Sequence, residues 1–138
     1  MLAHLIYMSS RTPQCTDAEI DRIMESSVKN NPQSGITGVL LYSSKSFVQY
    51  IEGEFKDLNE LYDRIKTDGR HKNTVMISNA PIQKRSFPAW HMGAKKLDLN
   101  SIEFKTSIDT KDRAILEEIL AGKKQESERA MAVIRKLF

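Results

Sequence analysis

The stretch ITGVLLYSSKSFVQYI, Ile36 to Ile51, decides the architecture. Two apolar runs rich in β-branched and aromatic residues, Ile36 to Tyr42 and Phe47 to Ile51, flank SSKS, which has the length of a hairpin loop, so they predict two adjacent antiparallel strands. Upstream, Leu2 to Tyr7 is short and apolar and runs into the turn formers SSRTPQ, which predicts a strand. Between them, Thr16 or Asp17 can cap a helix in which Ile20, Ile23, Met24 and Ser27 recur at i, i+3, i+4 and i+7. Pro32 places the end of that helix near Asn30 and Asn31, because the residue before a proline avoids helical geometry. Downstream, Gly53 reads as the break after the hairpin, and Leu58, Leu61, Tyr62 and Ile65 give Asp57 to Thr67 an amphipathic helical face. Thr74 to Ala80 and Arg85 to Met92 read as two more strands around a polar turn at Pro81 to Lys84. The order βαββαββ predicts an α+β, ferredoxin-like mixed sheet with two helices on one face.

Alternation leaves both faces of this sheet largely apolar. Leu5 and Tyr7 oppose Leu2, His4 and Ile6 on the first strand, while Phe47, Gln49 and Ile51 oppose Val48 and Tyr50 on the third. The second face needs a cover. Lys111 to Phe138 supplies two apolar stripes, Ile115, Leu116, Ile119 and Leu120, then Ala130, Val133, Ile134 and Leu137 beyond Gly122. These predict a C-terminal helical pair that folds over the second face or pairs with another subunit, making a homo-oligomer.

At 138 residues and 40% hydrophobic, the chain has the size and core of one domain. Its 21 basic and 18 acidic residues leave a net charge of +3, which excludes both an acidic disordered tail and a dedicated polycation. No apolar run reaches bilayer length, and the start MLAHLIYMSSRTPQ lacks a secretory pattern, so a cytoplasmic protein without a membrane partner is expected. Cys15 stands alone and reads as a reduced thiol in a surface loop. The common phosphate loops and nucleophile elbow are absent, and His4, His71 and His91 lack ligand spacing, so neither catalysis nor a metal is expected. His4 reads as a partly covered sheet residue. From Lys66 to Lys96, seven basic residues stand against one acid, Asp68, a stripe that suits phosphates or a solvated rim.

The informative residues are polar ones in apolar company. Gln49 shares a face with Phe47 and Ile51, and a buried amide costs a few kcal/mol unless its hydrogen-bonding groups are matched. Tyr7 has the parity that faces the helices, and Asn30 and Asn31 stand at a helix end. Singly, each has an ordinary structural explanation as a strand aromatic or a cap. Together, a phenol, a glutamine and an asparagine in one crevice suit a flat heterocycle with alternating donors and acceptors.

The blocks SSVKNNPQSGITGVLLY (Ser26 to Tyr42), FVQYIEGE (Phe47 to Glu54), DGRH (Asp68 to His71) and RSFPAWHMG (Arg85 to Gly93), behind LIYMS (Leu5 to Ser9), resemble the BLUF domain, a blue-light sensor that uses a flavin. The resemblance implies a photosensor domain over residues 1–95 and an extension over 96–138 for relay or oligomerisation. It implies an isoalloxazine ring between the two helices, carried by FAD, with FMN or riboflavin as alternatives. By this resemblance Tyr7 donates an electron and a proton, and Gln49 bridges it to flavin N5 and O4. Asn31 bonds the carbonyl edge and Asn30 lies near the ring. Trp90 and Met92 shift with the light state, and Met92 also contacts the cofactor. Arg64 and Asp68 match residues on the pyrimidine and ribityl side, and Arg70 and His71 a pair near the phosphate end. Two departures stand out: Lys45 where the family usually carries glycine, which predicts a strained or rearranged turn, and His91 where a small residue is common. The implied function is a non-enzymatic photoreceptor that signals to a downstream protein or an oligomer interface. The alternative is a light-independent ferredoxin-like module that binds RNA or an acidic protein, disfavoured because the strands lack an aromatic platform for base stacking. A flavin enzyme is weaker still, with no catalytic acid or base to serve it.

Overall fold

The computed structural model describes residues 1–87, 93–96, 114–115, 118–119 and 127–137. In chain order they form β1 (Leu2–Arg11), α1 (Asp17–Ser34), β2 (Thr37–Tyr42), β3 (Ser46–Glu54), α2 (Phe55–Lys66), β4 (His71–Pro81), β5 (Gly93–Lys96) and α3 (Ser127–Leu137). The sheet order is β4-β1-β3-β2-β5. The first four strands pair antiparallel, and β5 joins the β2 edge in parallel. This is the predicted ferredoxin-like α+β arrangement, with the predicted hairpin in register from Tyr42↔Phe47 to Thr37↔Glu52.

Strand alternation makes two cores. Ala3, Leu5, Tyr7, Leu40, Phe47 and Ile51 face one way and are closed over by Ile20 of α1 and by Leu58 and Tyr62 of α2. Ile6, Val39, Leu41, Val48, Tyr50 and Ile77 face the other way, and there Ile115, Ile119, Ala130, Val133 and Ile134 join them. The C-terminal segment therefore lies against the second face, each buried aliphatic side chain contributing about 1.5–3 kcal/mol relative to exposure. His4 belongs to this face too. It is fully buried rather than partly covered, with Nε2 2.8 Å from Ser78 Oγ, and burial lowers its pKa to about 4.

One local expectation holds and several are corrected. Thr16 caps α1, its Oγ1 accepting from the Glu19 amide at 3.3 Å. The helix does not stop at Asn31 but runs through Pro32 to Ser34. So close to the C-terminus the proline disturbs only the last turn, and Gly35, at φ 65°, provides the left-handed residue that closes it. Gly53 does not end β3; a Cβ there would lie 3.3 Å from the Gly35 carbonyl oxygen, so glycine serves the close approach of β3 to the end of α1. Lys45 has no positive φ. The turn is instead organised by Ser43, whose Oγ accepts from the amides of Lys45 (3.2 Å) and Ser46 (3.1 Å), so the expected left-handed strain does not arise. Cys15 is buried in the helix-side core, 4% exposed, because its carbonyl is held by the Arg11 guanidinium at 2.8 Å.

The last strand also differs. Arg85, Ser86 and Phe87 lie outside the sheet, since the amides of Ser86 and Phe87 donate to the Glu52 carboxylate at 2.8 and 2.7 Å rather than to a neighbouring strand. β5 begins at Gly93, and Trp90, His91 and Met92 lie outside the described residues. β4 starts earlier than expected, at His71, and pairs with β1 through two irregularities. Its register slips once between Ile6 and Tyr7 and again between Met8 and Ser10, the second slip beside Asn73 at φ 52°. Asparagine is among the few non-glycine residues that accept this conformation.

Candidate functional site

Helices α1 and α2 do not close completely over the first face. Between them and the sheet lies a cavity of about 490 Å³, within the range of small-molecule sites. Its floor is β1 and β3, where Tyr7 and Gln49 are register partners on adjacent strands. Both are buried, at 1% and 5% exposure, and the Tyr7 hydroxyl donates a hydrogen bond to Gln49 Oε1. Burial, with smaller contributions from Asp68 and Tyr62, raises the Tyr7 pKa, so the phenol keeps its proton and acts as a donor. An amide that presents its oxygen to Tyr7 must direct its N–H groups elsewhere, so the bond fixes which end of Gln49 points which way.

His71 closes one side. Its ring lies 4.7 Å from the Phe47 ring, and Nδ1 is 2.7 Å from Ser9 Oγ. Burial lowers its pKa while Asp68 works against that shift. Asp68 itself is held at about 2, chiefly by Arg70, whose Nη2 donates to it at 2.6 Å. Arg70 also reaches Glu19 at 3.6 Å. Arg64 lines the cavity and has no ion-pair partner among the described residues.

Seven of the sequence-derived candidates therefore meet at one cavity: Tyr7, Asn30, Gln49, Arg64, Asp68, Arg70 and His71. Asn31 is in α1, one residue beyond Asn30. Trp90 and Met92 fall outside the described residues. The structure adds Ser26, Ser27, Gln33 and Ser34 to the wall on α1, with Ile23, Ile36, Leu61 and Ile65 as apolar lining. A signal for the serines existed: Ser27 shares the helical stripe of Ile20, Ile23 and Met24, where a polar residue is out of place unless something polar faces it. The basic stripe, by contrast, is dispersed. Arg70 is engaged by Asp68, Lys66 by Asp63 at 3.2 Å, and Arg85 donates to the carbonyls of Gly35 and Glu52.

Residues 2–93 match the family described as BLUF, sensors of blue-light using FAD. The chain is 36% identical over 99 residues to photoactivated adenylate cyclase subunit alpha of Euglena gracilis, covering 70% of this chain and 10% of that protein. It spans about a tenth of the length of the curated relatives it matches. Among solved structures, the dark state of the BLUF protein BlrB superposes with a TM-score of 0.76 at 29% identity, over 99% of this chain and 93% of that one. A bacterial light-regulated adenylyl cyclase gives a TM-score of 0.67 at 31% identity, over 90% of this chain and 41% of that one.

Proposed function

The chain belongs to the BLUF family and is a blue-light sensor that binds flavin, and from that premise we propose that Tyr7 and Gln49 are its photoactive pair. The observation that carries this reading is their hydrogen bond on the floor of the polar cavity. Asn30, Asn31, Arg64, Asp68, Arg70 and His71 hold the cofactor, and Trp90 and Met92 pass the change onward, Met92 also touching the ring.

The residues present suit the group. An oxidised flavin is neutral along its ring edge and offers both donors and acceptors. Gln49, Asn30 and the α1 serines supply neutral counterparts, and Ile23, Ile36, Leu61 and Ile65 supply apolar walls for a planar ring. When bound, the flavin supplies absorption of the blue photon. Tyr7, kept protonated by burial, holds its proton against Gln49. Reorienting or tautomerising that amide exchanges an acceptor for a donor at one position with no covalent bond to the protein made or broken, which is a two-state element.

FAD is our choice among flavins, following the family's description, with Arg70 and His71 as the pair near the phosphate end. Mass analysis of the chromophore released on denaturation distinguishes FAD from FMN and riboflavin. We read residues 1–95 as the sensor and 96–138 as relay or oligomerisation segment. The protein would act in the cytoplasm, without enzymatic activity of its own, and would signal to a downstream protein or through a homo-oligomer interface. Its match to 93% of BlrB and the C-terminal residues on the second face support this reading. Among the described residues no helix is long and apolar enough to cross a membrane. The test is direct: the purified chain should be yellow and show a small, reversible red shift of the flavin band under blue light. A chain that stays colourless after refolding with flavin overturns the proposal.

A further inference from the structure

Three residues beyond Gln49 on β3, on the opposite face of the sheet, stands a carboxylate with an unusual set of partners. Glu52 is fully buried. Its Oε1 accepts from the Phe87 amide at 2.7 Å, and its Oε2 accepts from the Ser86 amide at 2.8 Å and the Tyr50 hydroxyl at 2.7 Å. The Tyr50 ring meets the Phe87 ring edge-on, with centroids 5.6 Å apart. Arg85 completes the arrangement, donating to the Glu52 carbonyl at 3.0 Å, Thr37 Oγ1 at 2.8 Å and the Gly35 carbonyl at 2.6 Å. Residues 85–87 are thus fastened to β3 on one side and to the end of α1 on the other.

The placement matters because β3 carries both ends of the arrangement. Gln49 faces the cavity, and Tyr50 and Glu52 face away from it, about 10 Å being the span of three extended residues. Gly35 directly follows Gln33 and Ser34 of the cavity wall. Ser86 and Phe87 stand just before Trp90 and Met92 in the sequence. A carboxylate that accepts three donors tolerates little displacement, because the Phe87 amide and the Tyr50 hydroxyl, buried with it, have no water to turn to. Such a knot holds one arrangement or gives way to another.

We propose that Glu52 is a positioning residue of light signalling: its grip on the Ser86 and Phe87 amides is the element that a change at Gln49 loosens. This rests on the photoactive reading of Tyr7 and Gln49. Light would shift β3 on its cavity side, weaken the Glu52 knot on the other side, and so release the segment that leads to Trp90 and Met92.

The test uses the full flavin-loaded chain and backbone hydrogen exchange, dark and under continuous blue light. Protection of the Ser86 and Phe87 amides should fall by about tenfold in the light. Protection of the Ile82 amide, bound to the Leu2 carbonyl, should not change. A normal red shift with unchanged protection at Ser86 and Phe87 overturns this proposal and leaves the photoactive pair standing. Absence of any red shift overturns both. In Glu52→Gln, one donor must lose its acceptor, so the red shift should keep its amplitude while recovery in the dark changes by about tenfold. Tyr50→Phe, which retains both amide bonds, should change recovery in the same direction by less. Recovery in E52Q within about twofold of the parent chain counts against the proposal.

Discussion

The two faces of the sheet are built from alternate residues of the same strands, yet one closes on a packed core and the other on a cavity of about 490 Å³. On the second face Ile6, Val48 and Tyr50 meet side chains from the C-terminal segment. On the first, Tyr7 and Gln49 sit between equally apolar neighbours, but α1 and α2 stand apart over them. The difference teaches that hydrophobic pattern decides which residues point together, while the polar exceptions decide whether the space they point into is filled by protein or by a ligand. It also separates two kinds of sensitivity: changes to the cavity pair should alter the red shift itself, and changes to the aliphatic contacts of the second face should alter stability.

The largest effect expected is the loss of the light response. Tyr7→Phe and Gln49→Leu should each abolish the red shift while flavin stays bound, since ring burial rather than one hydrogen bond supplies most of the affinity. Light-minus-dark absorbance spectra check this, and a full red shift in the Gln49 variant would break the functional contrast between the faces. Next is Ile134→Ala on α3, which should cost about 2–5 kcal/mol in denaturant unfolding and leave the red shift intact. Cutting the chain after Asp109 extends the same logic: it should expose the second face and promote aggregation or altered oligomers, readable by light scattering.

A pH titration sharpens the comparison. The His4 pKa is depressed by burial to about 4. The unfolded chain therefore takes up a proton at His4 below about pH 6.5 that the folded chain refuses until about pH 4, so stability is full above 6.5 and declines as pH falls through that window. His71, lowered for the same reason on the cavity face, adds in the same direction. Unfolding midpoints at pH 7, 5.5 and 4.5 should fall more steeply for the parent chain than for His4→Gln. The smallest effect belongs to a site off both faces. Lys45→Gly should destabilise by about 0.5 kcal/mol, because the turn has no left-handed position at Lys45 for glycine to relieve. A stabilised variant would contradict the Ser43-centred turn.

Most of the architecture was legible because β1, β2, β3 and both sensor helices carry clear periods of two or 3.6. What escaped depended on contacts distant in sequence. β5 is the four-residue run GAKK, without a pattern of its own, held by pairing with β2. Arg85 to Phe87 resemble a strand locally, yet their amides are taken by a side chain 34 and 35 residues upstream. Tyr7 and Gln49 stood out as polar residues on an apolar face, whereas Ser26, Gln33 and Ser34 read as ordinary solvent-facing helix residues until α2 is placed opposite them. Cys15 looked exposed because its loop is polar, and only the Arg11 anchor turns it inward.

The two slips in β4 behave as a pair of parity errors that cancel. Met76 packs with the cavity-side core, and strict alternation from there would turn His71 outward. The slip beside Asn73 reverses the parity, so His71 lines the cavity and Lys72 does not. Straightening the strand at Asn73 without removing a residue would therefore rewrite its end, exchanging an imidazole for an ammonium in the wall of the cavity. Removing the extra residue at either slip would instead keep the flanking pairs with β1, so Met76 and His71 would both stay on the cavity face.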